Sequence, residues 1–252
     1  IACLLEANHD PELRESWFTI SRLKEQMAMF GFASGRHIDH LVERLCAVGF
    51  MRRSPSPSDR RIRILGTTEY MRAHDRDWIA AHYTGLAVLY PEHDYGRALK
   101  KDPQFQAAFR RIGLAMLPLG AKLLRSVPDM MFFFDRAAGH MILAALVQAA
   151  MKSPQHPHAA VPYADVGERF GVSRTHVRKL LVAAEEIGLV KLHARGGRRV
   201  EILPRGWASY DRGIANGMYL HDLAYVAVTR ASPRGRSQSL GSFEGLPSRT
   251  PA

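Results

Sequence analysis

Two stretches of this 252-residue chain gather the side chains that could hold a polyanion. Between Ser34 and Arg63 stand seven basic residues (Arg36, Arg44, Arg52, Arg53, Arg60, Arg61, Arg63) against Asp39, Glu43 and Asp59, a local charge of +4. Between Arg169 and Arg205 stand nine (Arg169, Arg174, Arg178, Lys179, Lys191, Arg195, Arg198, Arg199, Arg205) against Glu185, Glu186 and Glu201, a local charge of +6. These windows carry +10 of the chain's net +11. Guanidinium groups bind phosphate through paired N–H donors and displace condensed counterions. A basic excess packed into two separate stretches predicts two electrostatic footprints.

Other chemistry is thinly represented. There is no phosphate-binding glycine loop with Lys, no dinucleotide glycine fingerprint, no nucleophile elbow and no paired-histidine zinc helix. Ser21-Arg22-Leu23-Lys24 fits a Ser-x-x-Lys pattern, but a chain of this length offers about one such match by chance. His156-Pro157-His158 supplies two imidazoles in a Pro-rich stretch without a third ligand, and is read as surface. His37 and His40 lie one helical turn apart, and their outward polar position favours contact with a partner over metal binding. Cys46, among Leu45, Ala47 and Val48, is expected to be a buried, inert thiol. No catalytic residue, metal site or cofactor is therefore expected.

The elements that must position the basic residues come from an internal repeat. Sliding the chain on itself by 139 positions lays Ser34 on Ser173, His37 on His176, Ile38 on Val177, Leu41 on Leu180, Val42 on Leu181 and Gly49 on Gly188. With one residue deleted, Arg60 and Arg61 fall on Arg198 and Arg199. In each copy the serine is placed to cap a helix. The stripes Ile38, Leu41, Val42, Leu45 and Val177, Leu180, Leu181, Ala184 have the spacing of one buried helix face. Each glycine sits where a helix stops in the left-handed conformation. Two extended runs follow, Phe50-Met51 with Ile62 to Leu65 and Leu189-Val190 with Val200 to Leu203, which predicts a hairpin. Short helices are expected before each capped helix, at Ser21 to Phe30 and Tyr163 to Val172.

Helix, tight turn, capped helix and basic hairpin is the order of a winged helix-turn-helix. In that arrangement the second helix enters the major groove and the wing meets backbone or minor groove. The residues placed to touch DNA are Ser34, Arg36, His37, His40, Arg53, Arg60, Arg61 and Arg63 in the first copy. In the second they are Ser173, Arg174, Thr175, His176, Arg178, Lys179, Arg195, Arg198 and Arg199. The first helix carries Asp39 and Glu43 where the second has Arg178 and Val182, so the second is expected to bind more strongly.

The first copy resembles the MarR family of bacterial regulators. Arg53, the wing Asp59-Arg60-Arg61, the strand Ile62-Arg63-Ile64-Leu65 and Thr68 opening the next helix carry the resemblance. It departs at Met71, where the family often has Gly, and in its twin arrangement, since family members carry one such domain per chain and dimerise. The second copy is similar to a generic bacterial winged helix. The resemblance implies transcription regulation on double-stranded DNA, with a homodimer interface and a small-molecule effector pocket among the connecting helices. The rival reading is a plasmid-type replication initiator, which also places two winged units in one chain.

The connecting segments read as helices from Thr67 to Tyr90, from Phe105 to an interruption at Pro118, through the all-round apolar Ala137 to Met151, and from Arg205 to Arg230. The Met130 to Phe134 cluster is read as packing core rather than a ligand box. The expected fold is mainly α with small β-hairpin wings: tandem winged helix-turn-helix domains joined by a helical core. Residues 1–90 form the first unit, 91–151 a helical connector, 152–230 the second unit with its closing helix, and 231–252 a flexible tail. One chain would then imitate a dimer, with half-sites about 34 Å apart. Only Cys3 and Cys46 occur, which excludes a disulfide scaffold and points to the reducing cytoplasm. Charge-free stretches are shorter than a membrane span requires, so no membrane helix is expected. The chain starts at Ile1 rather than Met, which leaves a removed targeting segment open.

Overall fold

A computed structural model of the chain describes residues 1–31, 34–152 and 158–231. It is mainly helical, 68% helix, with two small antiparallel hairpins. Helices α1 (Ala2–Ala7), α2 (Ile20–Ala28) and α3 (Gly35–Ala47) precede strands β1 (Met51–Pro55) and β2 (Arg63–Thr67). The connecting bundle begins with α4 (Glu69–Leu89), α5 (Gly96–Leu99) and α6 (Pro103–Arg125). Then come α7 (Pro128–Phe134), α8 (Gly139–Lys152), α9 (Tyr163–Phe170) and α10 (Arg174–Glu186). Strands β3 (Val190–Ala194) and β4 (Arg199–Ile202) form the second hairpin, and α11 (Pro204–Ala231) closes the described chain.

The repeat is physical. Helices α3 and α10 are both 13 residues long and lie 139 positions apart, as do the five-residue strands β1 and β3. Ser34 Oγ accepts the His37 N–H at 3.2 Å and Ser173 Oγ accepts the His176 N–H at 3.0 Å, each satisfying a donor the helix leaves orphaned. Both helices end before a left-handed glycine, Gly49 at φ 78° and Gly188 at φ 75°, where a side chain would be strained. Thr68 caps α4 as expected, its hydroxyl accepting the Met71 N–H.

The two copies differ in how well they are covered. Val177, Leu180, Leu181 and Ala184 are buried against α8, α9 and the second hairpin. At ~1.5–3 kcal/mol for each large apolar side chain, this stripe fixes the rotation of α10. In α3, Ile38 and Val42 are buried, Leu45 is half-buried, and Leu41 is 44% exposed. The expected four-residue stripe is thus incomplete, because α2 meets α3 along a shorter line than α9 meets α10. Cys46 shares this thinner cover and is half-buried rather than buried.

Among the described residues three clusters make up the interior. One lies in the first copy around Phe18, Val42, Met51 and Leu65, reached by α1, where the Glu6 carboxylate accepts from the Thr67 backbone and hydroxyl. A second fills the bundle with Tyr83, Tyr95, Phe105, Phe109 and Val228. The third joins Met130, Phe133, Ile142, Leu146 and Val147 to Val177, Leu181, Val190 and Val200. The Met130 to Phe134 segment is accordingly core, and the cavity beside Met130, Phe133 and Leu143 is about 10 Å³, no larger than a single water needs. In this third cluster α7 and α8 share a core with the second copy. Helix α11 leaves that copy to pack along α6 and α4, so its far end belongs to the bundle.

Two helical expectations are corrected. Pro118 does not end its helix: α6 runs through it to Arg125, held by packing along α11, α1 and α7. Helix α8 is one-sided rather than buried all round, with Met141 49% and Met151 68% exposed. Among the described residues no single helix is long and apolar enough to cross a membrane, and the apolar pair α7 and α8 is bent by 112°. The expected tail, 231–252, lies beyond the described residues except for Ala231, the last residue of α11.

His221 is a buried titratable group of the bundle. Its ring stacks on His82 at 4.4 Å and lies 5.2 Å from Trp78, while Tyr83 Oη donates to its carbonyl at 2.6 Å. Burial first, then the neighbouring His82 and Arg110, depress its pKa to about 4. The folded state therefore favours neutral imidazole, and its contribution is present above the ordinary value near 6.5 and lost as pH falls toward 4. Between pH 7 and 4 the protein should lose about 3 kcal/mol more stability than His221→Phe, read from urea unfolding at each pH. The same measurement at pH 7 should show Leu180→Ala destabilising by about 2–5 kcal/mol and its repeat counterpart Leu41→Ala by less than ~1 kcal/mol.

Candidate nucleic-acid interface

With its apolar stripe committed to the core, α10 can present only its opposite face. Arg174, Thr175, Arg178 and Lys179 are exposed there, with Val182 one turn further on. The side chains nearest the N-terminus also sit in the positive end of the helix dipole, which favours anions. Strand β3 and the hairpin tip wall one side of this face. Together they form an open cleft of about 620 Å³ lined by Arg174, Arg178, Tyr163, His193 and Arg195. The tip turns through Gly196 and Gly197, both left-handed, and Arg198 and Arg199 follow it, exposed.

The pairing of the arginines divides them into two groups. Arg110 meets Asp75 between α6 and α4, its Nε 3.0 Å from the carboxylate, and both side chains are largely buried. Arg97 meets Asp102 at 2.7 Å, and Arg72 and Arg76 meet Glu69 at 3.1 and 2.5 Å. Arg205, counted by sequence in the second basic window, is spent on Asp129 at 2.6 Å and on the Ile187 carbonyl. That arginine holds the Asp129 carboxyl below its usual pKa, helped by Ser209. Among the described residues, by contrast, Arg174, Arg178, Lys179, Arg195, Arg198 and Arg199 have no carboxylate within 4.0 Å, although all six are exposed.

One residue of the second set turns elsewhere. His176 is half-buried and its Nε2 lies 2.8 Å from the Ala137 carbonyl in the link between α7 and α8, so it docks α10 onto the neighbouring helices instead of facing outward. Ser173 caps α10 and Ser34 caps α3, both at exposed positions.

The first copy keeps Arg36, His37 and His40 exposed on α3, and Arg53, Arg60, Arg61 and Arg63 exposed along its hairpin. Asp39 was expected to face outward. Its carboxylate is instead half-buried and paired with Lys24 of α2 at 2.7 Å, which removes much of the repulsion it would offer to phosphate. Glu43 stays exposed, 3.7 Å from His40. Asp59 folds back to accept the Arg61 N–H, leaving the Arg60 and Arg61 side chains at the tip.

Sequence reasoning missed the cleft-lining Tyr163 and His193. It also missed a cluster on the second hairpin, where His193 Nε2 lies 2.7 Å from Glu201 Oε2 and its ring 4.2 Å from that of His158. His158 was read as a surface histidine without a third ligand, and the hairpin brings His193 and Glu201, 35 and 43 residues further on, into one group with it. The other member of that motif, His156, lies outside the described residues.

Comparison with known protein families, with curated proteins and with solved structures finds no match to this chain.

The division of the arginines has a direct consequence for stability. Arg110→Ala leaves the buried Asp75 carboxylate without its cation and should cost about 3–5 kcal/mol. Arg198→Ala with Arg199→Ala should change stability by no more than ~0.5 kcal/mol per site, both compared by denaturant midpoint.

Proposed function

We propose that this chain is a DNA-binding transcriptional regulator built from two winged helix-turn-helix units, working in the cytoplasm. The observation that carries the reading is the cleft of α10 and the second hairpin: its cations are exposed and lack carboxylate partners, while Arg72, Arg76, Arg97 and Arg110 of the bundle are each paired with an acid. Keeping six like charges together in one region costs repulsion, which a polyanion relieves.

In this reading α10 lies in the major groove, which is about as wide as a helix with its side chains. Arg174, Thr175, Arg178 and Lys179 reach base edges and phosphates, and Arg195, Arg198 and Arg199 hold backbone or minor groove. His176 is left out of the contact set because its ring is engaged with Ala137. The first unit offers Arg36, His37, His40, Arg53, Arg60, Arg61 and Arg63 as a weaker second site, since Glu43 stays exposed beside them. No enzymatic step is assigned to the chain.

A second reading, a plasmid-type replication initiator, is favoured by the presence of both copies in one polypeptide. Genomic footprinting in the native host separates the two, by occupancy near promoters or at repeated origin sites.

Fluorescence anisotropy with duplex DNA across a salt series tests the interface itself. Replacing Arg198 and Arg199 by Ala should weaken binding to all sequences alike and reduce the slope of log affinity against log salt by about 1.8. Arg174→Ala or Arg178→Ala should in addition narrow the gap between specific and non-specific sites, by ~1–3 kcal/mol per lost base contact. An unchanged salt slope in the double variant refutes the phosphate role of the hairpin.

A further inference from the structure

The second hairpin carries a group of side chains that DNA contact does not explain. Strand β4 has a neighbour on each side. On one edge it pairs with β3, and on the other Ala159 and Val200 exchange both backbone hydrogen bonds, at 2.7 and 2.9 Å. Val161 N–H adds a bond to the Gly197 carbonyl at 2.8 Å. A side chain at position 197 would collide with the Val161 carbonyl, its Cβ only 2.2 Å from that oxygen, so this close approach requires glycine.

The register then sets one residue from each strand on a shared face. With Ala159 opposite Val200, His158 falls opposite Glu201. Across the other edge Leu192 partners Val200 and Ala194 partners Arg199, which leaves His193 as the extra residue of a bulge. A bulge re-aims the side chain it carries. Val200 and Ile202 point into the core, so Glu201 between them points out, along with the two imidazoles. One ligand atom from each of His158, His193 and Glu201 lies within 4.8 Å of the other two. Lys191, the Cα partner of Glu201, is drawn to Glu185 at 3.4 Å.

We propose that His158, His193 and Glu201 bind one divalent transition-metal ion of the zinc class. Two imidazoles and a carboxylate form a donor set that suits zinc, with a fourth position open to water. An ion about 2.0–2.2 Å from each donor enters between His193 and Glu201, replacing their direct hydrogen bond. Because the three ligands come from three separate strands, the ion clips the 158–161 segment to the hairpin. Its role is to fix the sheet, and metal binding does not depend on the DNA reading above.

The test uses the full chain without an affinity tag, titrated with zinc chloride against a chromophoric chelator. One tight equivalent is expected. It should be lost in His158→Ala and His193→Ala. In Glu201→Gln, which keeps a hydrogen-bond acceptor, affinity should fall by at least the roughly 10–100-fold typical of losing even an outer-shell partner. The double variant His37→Ala with His40→Ala should retain the equivalent. Circular dichroism establishes that each variant is folded, and hydrogen exchange of wild type should show zinc slowing the Ala159 and Val200 amides. Absence of a tight equivalent in wild type overturns the proposal. So does its survival in both histidine variants, its loss in the His37 and His40 variant, or exchange at Ala159 and Val200 that zinc leaves unchanged.

Discussion

The burial of one face of α10 is the constraint on which the rest of the second copy depends. Val177, Leu180, Leu181 and Ala184 are almost wholly enclosed by α8, α9 and the hairpin, so the helix cannot rotate without exposing them. With that face fixed, Arg174, Arg178 and Lys179 must project from the opposite one. The hairpin packs against the same core through Val190, Val200 and Ile202. Its tip arginines are thereby brought to the side of the helix, and the cleft between them is a by-product of apolar packing.

Charge is distributed by a complementary rule. Three arginines that tie elements together are each met by a carboxylate, Asp75 for Arg110, Asp102 for Arg97 and Asp129 for Arg205, while Arg125 reaches the Met29 carbonyl instead. These pairs satisfy polar groups that would be costly to bury alone. Within 4.0 Å of Arg174, Arg178, Lys179, Arg195, Arg198 and Arg199 no acid is placed among the described residues, and the carboxylates nearby are engaged by other groups. Glu185 accepts the Leu192 N–H and pairs with Lys191, and the first of these above all lowers its pKa against the opposing effect of burial. Glu201 is taken by His193. The result is a local field set by cations without carboxylate partners.

The duplicated unit has diverged through its cover more than through its elements. Cap, helix length, glycine stop and first strand are preserved at a constant offset, yet α3 leaves Leu41 and Val48 exposed where α10 buries Leu180 and half-exposes Ile187. The difference lies in the neighbours. The second copy borrows α7 and α8 to complete its core, while the first relies on the short α1 and α2. The exchange of Arg178 for Asp39 follows suit, since the acid serves to tie α3 to α2 through Lys24. In one copy the position faces outward, and in the other it braces the helix.

What the sequence determined by itself was local. Apolar spacing, capping serines, stop glycines and the 139-residue offset are properties of residues close in the chain, and they specified α3 and α10 nearly to the residue, whereas β1 and β3 run on to Pro55 and Ala194, past the expected Phe50-Met51 and Leu189-Val190. The two basic windows were legible for the same reason, because counting charge needs no geometry. Tertiary structure alone decided which side chains share space. Nothing near His176 indicates that its ring would turn to Ala137, nor near Asp39 that Lys24 would reach it. The end of α6 was misread because Pro118 is a breaker locally, whereas packing along α11 outweighs the lost hydrogen bond. The assembly of His158, His193 and Glu201 depended on a strand register and a bulge, and no periodicity within one segment encodes a contact across three.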